Sequence, residues 1–375
     1  MRVLHINCNY IGTTLHQLMV EELTRNGVTN EVFVPTYDRN ISVINVNNNV
    51  CISECFKKWD RVLFDYKQSK IIKAIEERYD VASFDLIHAY TLFTDGNVAR
   101  TLSEKYGIPF VVAVRNTDVN DFFKKMIHLR SRGVRTMLAA EKVFFLSTSY
   151  MNTVFRRFIP HKTKELVAKK TEIIPNGIDD YWFENLYLER NYEELKKRIK
   201  QKNIKIVYAG GIDTNKNITT TCRAIELLKK EGWKVEFTVV GKIRDESVYK
   251  EIKDKVRYLN AMPKERLIDV YRNADIFVMP SKLESFGLVY AEAMSQGLPV
   301  VYSKNQGFDG QFEDGVVGFR VTWNDAAECA DIIKRITYEY EAISKRCLHY
   351  AEKYKWNVIC KRYRDIYTGV RNVAK

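Results

Sequence analysis

The amino-acid sequence predicts an α/β protein of two doubly wound domains, each a largely parallel sheet with helices on both faces. Three observations point there. Apolar runs of strand length alternate with amphipathic helical stretches from the first residues onward. The alternation starts afresh at "NIKIVYAGGI" (203–212), just after a charged stretch, "LERNYEELKKRIKQKN" (188–203), that reads as the connection. The chain's 375 residues also exceed what one ordinary core holds.

In chain order, "RVLHINC" is a strand, "TTLHQLMVEELTRNG" a helix stopping on Gly27, and "NEVFVPTY" a strand. "KIIKAIEERYD" is helical, "DLIHAY" a strand, "GNVARTLSEKYG" a helix closing on Gly107, and "IPFVVAVRN" a strand. "MLAAEKVFFLSTSYMNTVFRRF" runs helix, strand ("KVFFLST"), helix, and "EIIPNGID" (172–179) is a short strand entering a turn. The second series continues through "ITTTCRAIELLKKEG", "WKVEFTVVGK", "SVYKEIKDKV", "VRYLNAM" and "PKERLIDVYRNA". The expected domains are 1–185, joined by about 360–375, and 200–359. Ligands of such sheets bind at the C-terminal ends of the strands.

Composition narrows the function. Hydrophobic residues make up 46% and aromatic residues 12%, as in a globular protein. No apolar run reaches the roughly 18 residues of a membrane span, and the amino terminus enters a strand without the apolar core of a signal peptide. Seven scattered cysteines show no second pair at metal-ligand spacing, so no metal site and a reducing cytoplasm are expected. Of the six histidines, only His88, ending the strand "LIHAY", is placed near a ligand site, and a structural role suits it better. The formal charge is +13, and residues 121–170 hold twelve Lys or Arg against Asp121, Glu141 and Glu165. Such a patch fits an anionic bilayer surface or an anionic substrate. Nucleic acid is set aside for want of a base-reading motif.

The most informative stretch is "PSKLESFGLVYAEAMSQGLPVV" (280–301). "ADIFVMPS" (274–281) reads as a buried parallel strand, and a helix is expected from Phe286 to Gln296, with Ser285 as N-cap and Gly297 as stop. Glu284 then lies just outside the helix N-terminus and Glu292 about 10 Å further along the axis, two turns inside. Helix N-termini bind anions through free N–H groups and the dipole, and Gly287 admits close approach to the backbone. A carboxylate at Glu284 would repel a bare phosphate. It suits a ligand anionic in the middle and rich in hydroxyls at both ends, such as a nucleotide-sugar.

These residues resemble the signature of retaining nucleotide-sugar glycosyltransferases of family 4, which have the two-domain GT-B fold and a last helix that crosses back to the first domain. The resemblance extends to "EIIPNGID", to the phosphate-loop segment "YAGGIDTNKN" (208–217), to "GFDGQFEDGVVGFRV" (307–321) and to "WNVICKRYRDIY" (356–367). It implies that Glu292 holds the ribose hydroxyls and Glu284 the transferred sugar. The amides of Gly287 and Leu288, with the adjoining Ser285 and Phe286, would line the donor site, as would Gly211 and Gly12. Lys216 would meet the phosphates, so that the charge of the leaving group is neutralised without a metal. No cofactor is implied beyond the UDP- or GDP-linked sugar substrate.

Two departures qualify the resemblance. The family's phosphate loop usually carries arginine where this chain has Gly211, so a cation must come from elsewhere: Arg115, Lys282 and Lys242 are candidates. Where the family often reads His-Gly-x-Asp, this chain has Arg115-Asn116-Thr117-Asp118, which makes Arg115 a candidate contact for donor or acceptor. The expected function is metal-independent, retaining hexosyl transfer to a lipid-linked glycan in bacterial surface-polysaccharide (lipopolysaccharide-type) assembly. It would take place peripherally on the cytoplasmic membrane face. Alternatives are transfer to a soluble sugar or metabolite, a nucleotide-sugar epimerase, and a non-catalytic nucleotide-sugar-binding subunit.

Overall fold

Thirteen short segments, mostly apolar and β-branched, form the strands of the computed structural model, which describes residues 1–37 and 49–374. The first seven are β1 (Arg2–Ile6), β2 (Thr29–Thr36), β3 (Val50–Glu54), β4 (Leu86–Ala89), β5 (Phe110–Val114), β6 (Lys142–Phe145) and β7 (Thr171–Ile173). They make one sheet in the order β3-β2-β1-β4-β5-β6-β7, every pair parallel. The next six are β8 (Asn203–Ala209), β9 (Lys234–Val240), β10 (Arg257–Leu259), β11 (Ile276–Met279), β12 (Val300–Ser303) and β13 (Gly318–Val321). Their order is β10-β9-β8-β11-β12-β13, again all parallel. In both sheets the strand order reverses beside the first strand, at β1–β4 and at β8–β11. These are the switch points at which doubly wound sheets open a crevice for ligand.

Central strands are fully buried because helices cover both faces: β4, β5, β11 and β12 expose nothing. The sequence reading did not include β3. It is an edge strand, only partly buried along its length, and "VCISE" lacks a strong apolar pattern for that reason.

Contacts divide the chain at Gly177 and Lys355, where the sequence alone suggested 185 and 359. One unit comprises 1–146, 151–177 and 356–375, and the other 147–150 and 178–355. The C-terminal helix, Trp356–Ala374, therefore belongs to the first unit. Its Trp356, Ile359, Cys360, Tyr363 and Tyr367 are buried in one core with Val3 of β1, Leu86 of β4 and Met19 and Leu23 of the Leu15–Arg25 helix.

That core adjoins three buried histidines. His5 Nε2 bonds the Asn30 side-chain oxygen at 2.7 Å and its Nδ1 the Tyr90 hydroxyl at 3.1 Å. His88 stacks on Tyr90 with centroids 4.3 Å apart and shares a 2.6 Å hydrogen bond with the Tyr367 hydroxyl. His16 meets Tyr90 edge-on at 4.9 Å. Burial drives all three toward the neutral form: His5 falls to about 4, His16 to about 3, and His88 goes well below its ordinary value. His88 is a wholly buried structural histidine.

All seven cysteines are free thiols. Among the described residues no helix is long and apolar enough to cross a membrane.

Candidate functional site

In the second unit, two loops that leave the C-terminal ends of β8 and β11 are laced together. The Asn215 carbonyl accepts from the Lys282 amide at 2.8 Å. The Asn215 side chain bonds the Leu283 amide at 3.0 Å and the Leu283 carbonyl at 2.9 Å. Asn217, in the left-handed region at φ 55°, donates its side-chain amide to the Pro280 carbonyl at 2.9 Å. This lacing brings Lys216 and Glu284 together although 68 positions separate them: Nζ lies 2.6 Å from Oε2, and both side chains are largely buried. The Lys216 amide donates to Asp213 Oδ1 at 3.0 Å, and the Glu284 amide to the Gln306 side chain at 3.0 Å. Both charged groups are thus fixed from the backbone outward.

The helix beyond runs from Leu288 to Ser295, two residues shorter at its start than expected, and its N-cap is Gly287 and not Ser285. Gly287 has φ 79°, and a Cβ there would lie 2.5 Å from the Tyr290 ring. That ring is locked beneath the turn by a 2.6 Å bond from its hydroxyl to the Met279 carbonyl. Only glycine satisfies both the left-handed backbone and the ring below it. No side chain caps this helix, so its N-terminus stays open. The Phe286 ring is buried, edge-on to Tyr354 at 5.6 Å, which leaves its backbone as the part able to meet a ligand.

Glu292 falls one turn inside the helix, not two, and is half-buried. Its surroundings include two residues that the sequence reading missed, Asp179 and Lys264, which form an ion pair. Burial, followed by the repulsion of Asp179 and against the opposing pull of Lys264, pushes the Glu292 carboxyl up to about 7.

Gly211 does not stand beside an unfilled space. A Cβ at this position would lie 2.7 Å from Nε and 3.0 Å from Cζ of Arg244. Of the three substitutes considered for the absent loop arginine, Lys282 lies over the Trp323 ring at 5.3 Å, Lys242 is exposed, and Arg115 belongs to the first unit. Arg244 carries no recognisable motif and could not have been singled out from sequence.

In the first unit, Gly12, at φ 95°, turns the loop that enters the Leu15–Arg25 helix. Arg115 follows β5. Its Nη1 donates to Asn176 at 3.1 Å, while its buried Nε has no hydrogen-bond partner among the described residues. Asp118 fixes this turn from within: its carboxylate accepts the amides of Arg115 at 2.8 Å, Leu92 at 3.0 Å and Phe93 at 3.1 Å. Burial raises the Asp118 carboxyl to about 6 against the pull of those bonds. Among the described residues no group of three or more His, Cys, Asp or Glu side chains converges as a metal site.

Comparison with known proteins bears on both units. The family model described as Glycosyltransferase Family 4 matches residues 12–181, and that described as Glycosyl transferases group 1 matches 190–354. A D-inositol 3-phosphate glycosyltransferase of Thermomonospora curvata is 24% identical over 340 residues, covering 82% of this chain and 76% of that protein. Sucrose-phosphate synthase from Thermosynechococcus elongatus superposes with a TM-score of 0.75 at 18% identity, over 100% of both chains. Anabaena HepE in complex with UDP-glucose superposes with a TM-score of 0.67 at 17% identity, over 98% of this chain and 100% of that one. In those proteins, as here, two parallel α/β domains form the GT-B fold.

Proposed function

From the chain's place among the glycosyltransferases of group 1 and family 4, to which it belongs over nearly its whole length, we propose that it moves a hexose from a UDP- or GDP-linked donor to a hydroxyl acceptor with retention of configuration. One observation carries this reading: Lys216 and Glu284 are paired at the open mouth of the Leu288–Ser295 helix, with Glu292 one turn further in. The complex of HepE with UDP-glucose supports the class of donor.

In the reaction we propose, the diphosphate lies at the uncapped helix N-terminus, against the amides of Gly287 and Leu288. Glu284 accepts hydrogen bonds from the sugar hydroxyls, and Glu292 from the ribose diol. As the bond from the anomeric carbon to the β-phosphate oxygen breaks, its electron pair stays on that oxygen. Lys216 and the helix N–H groups neutralise the charge that develops there. The acceptor oxygen attacks from the same face and its proton passes to the departing phosphate, so no protein base is needed. Glu284 balances and orients Lys216 until the donor arrives.

We propose further that the acceptor is a lipid-linked glycan at an anionic membrane surface. Of the apolar residues within the basic stretch, Phe123 and Leu129 are core, whereas Met126 and Ile127 are exposed. Beside them stands a segment that the sequence reading passed over. Phe64 meets Phe122 edge-on at 6.2 Å and Asp65 pairs with Arg132, which brings Trp59, Val62 and Leu63, exposed by 83%, 80% and 62%, alongside the patch. Exposed Lys57, Lys58, Lys124 and Lys125 accompany this apolar edge. Such a mixture suits shallow insertion among acidic headgroups. A second reading, transfer to a soluble phosphorylated sugar or polyol, is favoured by the similarity to the D-inositol 3-phosphate glycosyltransferase of Thermomonospora curvata.

The test is sugar release and transfer from a panel of UDP- and GDP-hexoses, with the product anomer resolved by NMR. Retained configuration, activity that survives EDTA, and a loss on the order of 10²–10³ in kcat for Lys216→Ala are expected. Inversion would overturn the assigned mechanism. Dependence on added divalent metal would show that Lys216 does not carry the leaving-group charge. No release from any donor would promote a binding subunit.

A further inference from the structure

Gly211 poses a physical question that its own backbone does not answer. Most glycines of these loops sit at positive φ, where the lack of a Cβ is needed; Gly211 does not, and its backbone is open to any residue. A side chain at 211 would instead displace Arg244, whose flexible side chain lies over the glycine, with Nε 2.7 Å and Cδ 2.8 Å from the place a Cβ would take.

The arginine is held there from the backbone. The loops leaving β8 and β9 zip together: the Ile212 amide donates to the Lys242 carbonyl at 2.9 Å, and the Arg244 amide donates to the Ile212 carbonyl at 3.0 Å. Arg244 therefore leaves a different strand from the phosphate loop and reaches back across it. Its charge is only loosely met, by Asp213 Oδ2 at 4.0 Å, and its side chain is 65% exposed. The other oxygen of Asp213 holds the Lys216 backbone amide at 3.0 Å, so one carboxylate stands between the Arg244 guanidinium and the backbone that carries Lys216.

We propose that Arg244 is the second phosphate-binding cation of this enzyme, working with Lys216 on the donor diphosphate. Gly211 is glycine so that this arginine can occupy the place a loop side chain would have taken. The assignment rests on the donor reading above and deepens it. A nucleoside diphosphate carries more charge than one lysine can neutralise, and Lys216 is already shared with Glu284. A guanidinium presents several N–H donors in a planar fork that matches phosphate oxygens.

The test measures the affinity of wild type, Arg244→Ala, Arg244→Lys and the double variant Arg244→Ala/Gly211→Arg by calorimetry. The probes are UDP, GDP and the corresponding nucleosides. Arg244→Ala is expected to weaken the preferred nucleoside diphosphate roughly 10- to 100-fold and to leave the nucleoside unchanged, since a lost charge-assisted contact affects the phosphates alone. Arg244→Lys should recover part of the loss. The double variant should recover most of it, because arginine at 211 reaches the same space from the other strand.

Unchanged diphosphate affinity in Arg244→Ala would overturn the proposal while leaving the donor reading intact. So would an equal loss for nucleoside and diphosphate, which marks a structural role, or a double variant no better than the single one. If the wild-type chain binds neither diphosphate, the donor reading itself fails and Arg244 falls with it. Thermal unfolding of each variant, expected to match wild type because the side chain is exposed, separates misfolding from lost binding.

Discussion

Glu292 is where residue chemistry becomes measurable. Its carboxyl is raised to about 7 by burial and by Asp179, which brings its titration into the neutral range. The ionised form accepts charge-assisted hydrogen bonds from the ribose diol on both oxygens, whereas protonation turns one oxygen into a donor and weakens the pair. Affinity for the preferred nucleoside diphosphate should therefore fall as pH drops below about 7, and Glu292→Gln should flatten that dependence. Glu292→Ala should weaken binding by about 1–3 kcal/mol if both bonds are buried. Calorimetry across pH 5.5–8.5 decides it, and the same pH dependence and affinity in wild type, Glu292→Gln and Glu292→Ala would remove Glu292 from the donor site. The linkage to folding has the opposite sign. A raised carboxyl holds its proton in the folded chain after the unfolded chain has released it, so stability falls as pH rises between the ordinary glutamate value and about 7. Glu292→Gln should accordingly stabilise the protein more at pH 8 than at pH 5.

The element that matters most is the strand–turn–helix unit from β11 through the Leu288–Ser295 helix. Its turn is set by Gly287, whose backbone is left-handed and whose missing Cβ leaves room for the Tyr290 ring. Gly287→Ala imposes the left-handed penalty of roughly 1–2 kcal/mol and forces the ring to move. The change should lower the urea midpoint and also weaken donor binding, because the displaced ring lies directly under the helix mouth. A variant as stable as wild type and as tight in binding would mean that the turn tolerates a side chain and does not shape the site.

On the scale of the whole molecule, two collective properties follow. The first is acid sensitivity. His5, at about 4, and His16, at about 3, stay neutral when folded, as does His88. Unfolded histidines begin to bind protons near pH 6.5, so stability contributed by the neutral buried rings is present above that value and is lost as pH falls below it. Each fully buried histidine costs about 2 kcal/mol at pH 5 on this account, while the raised carboxyls of Glu292 and Asp118 act in the opposite direction over the same range. The change in urea midpoint between pH 7 and pH 5 should therefore be less unfavourable in His88→Gln, which lacks the titrating ring, than in wild type; an equal pH dependence in the two would contradict the neutral cluster. The second property is surface attachment. The chain should sediment with vesicles containing phosphatidylglycerol at low salt and be released as ionic strength rises. Replacing Trp59, Val62 and Leu63 by serine should reduce sedimentation severalfold without changing sugar release from the donor. Equal partitioning onto neutral vesicles, or none onto either kind, would favour the soluble acceptor.

The return of the last helix to the first domain came from the family resemblance. The sequence by itself determined the α/β class and the restart near residue 203, and it singled out the stretch 280–301 as the candidate site. These were legible because they are local: apolar periodicity, glycine stops, and a motif whose members are neighbours in one strand–turn–helix. Helix bounds were less legible, since the left-handed cap at Gly287 overrode the hydroxyl at Ser285. The edge strand β3, half exposed, left no pattern to read. Only the tertiary structure decided which charges meet. It paired Lys216 with Glu284, set Asp179 and Lys264 around Glu292, laid Trp59 and Leu63 beside the basic stretch, and drew Arg244 over Gly211. The physical reason is common to all four. A parallel sheet delivers its loops to one edge in an order set by strand pairing and not by sequence, so charges dozens of residues apart share a site that no spacing along the chain can announce.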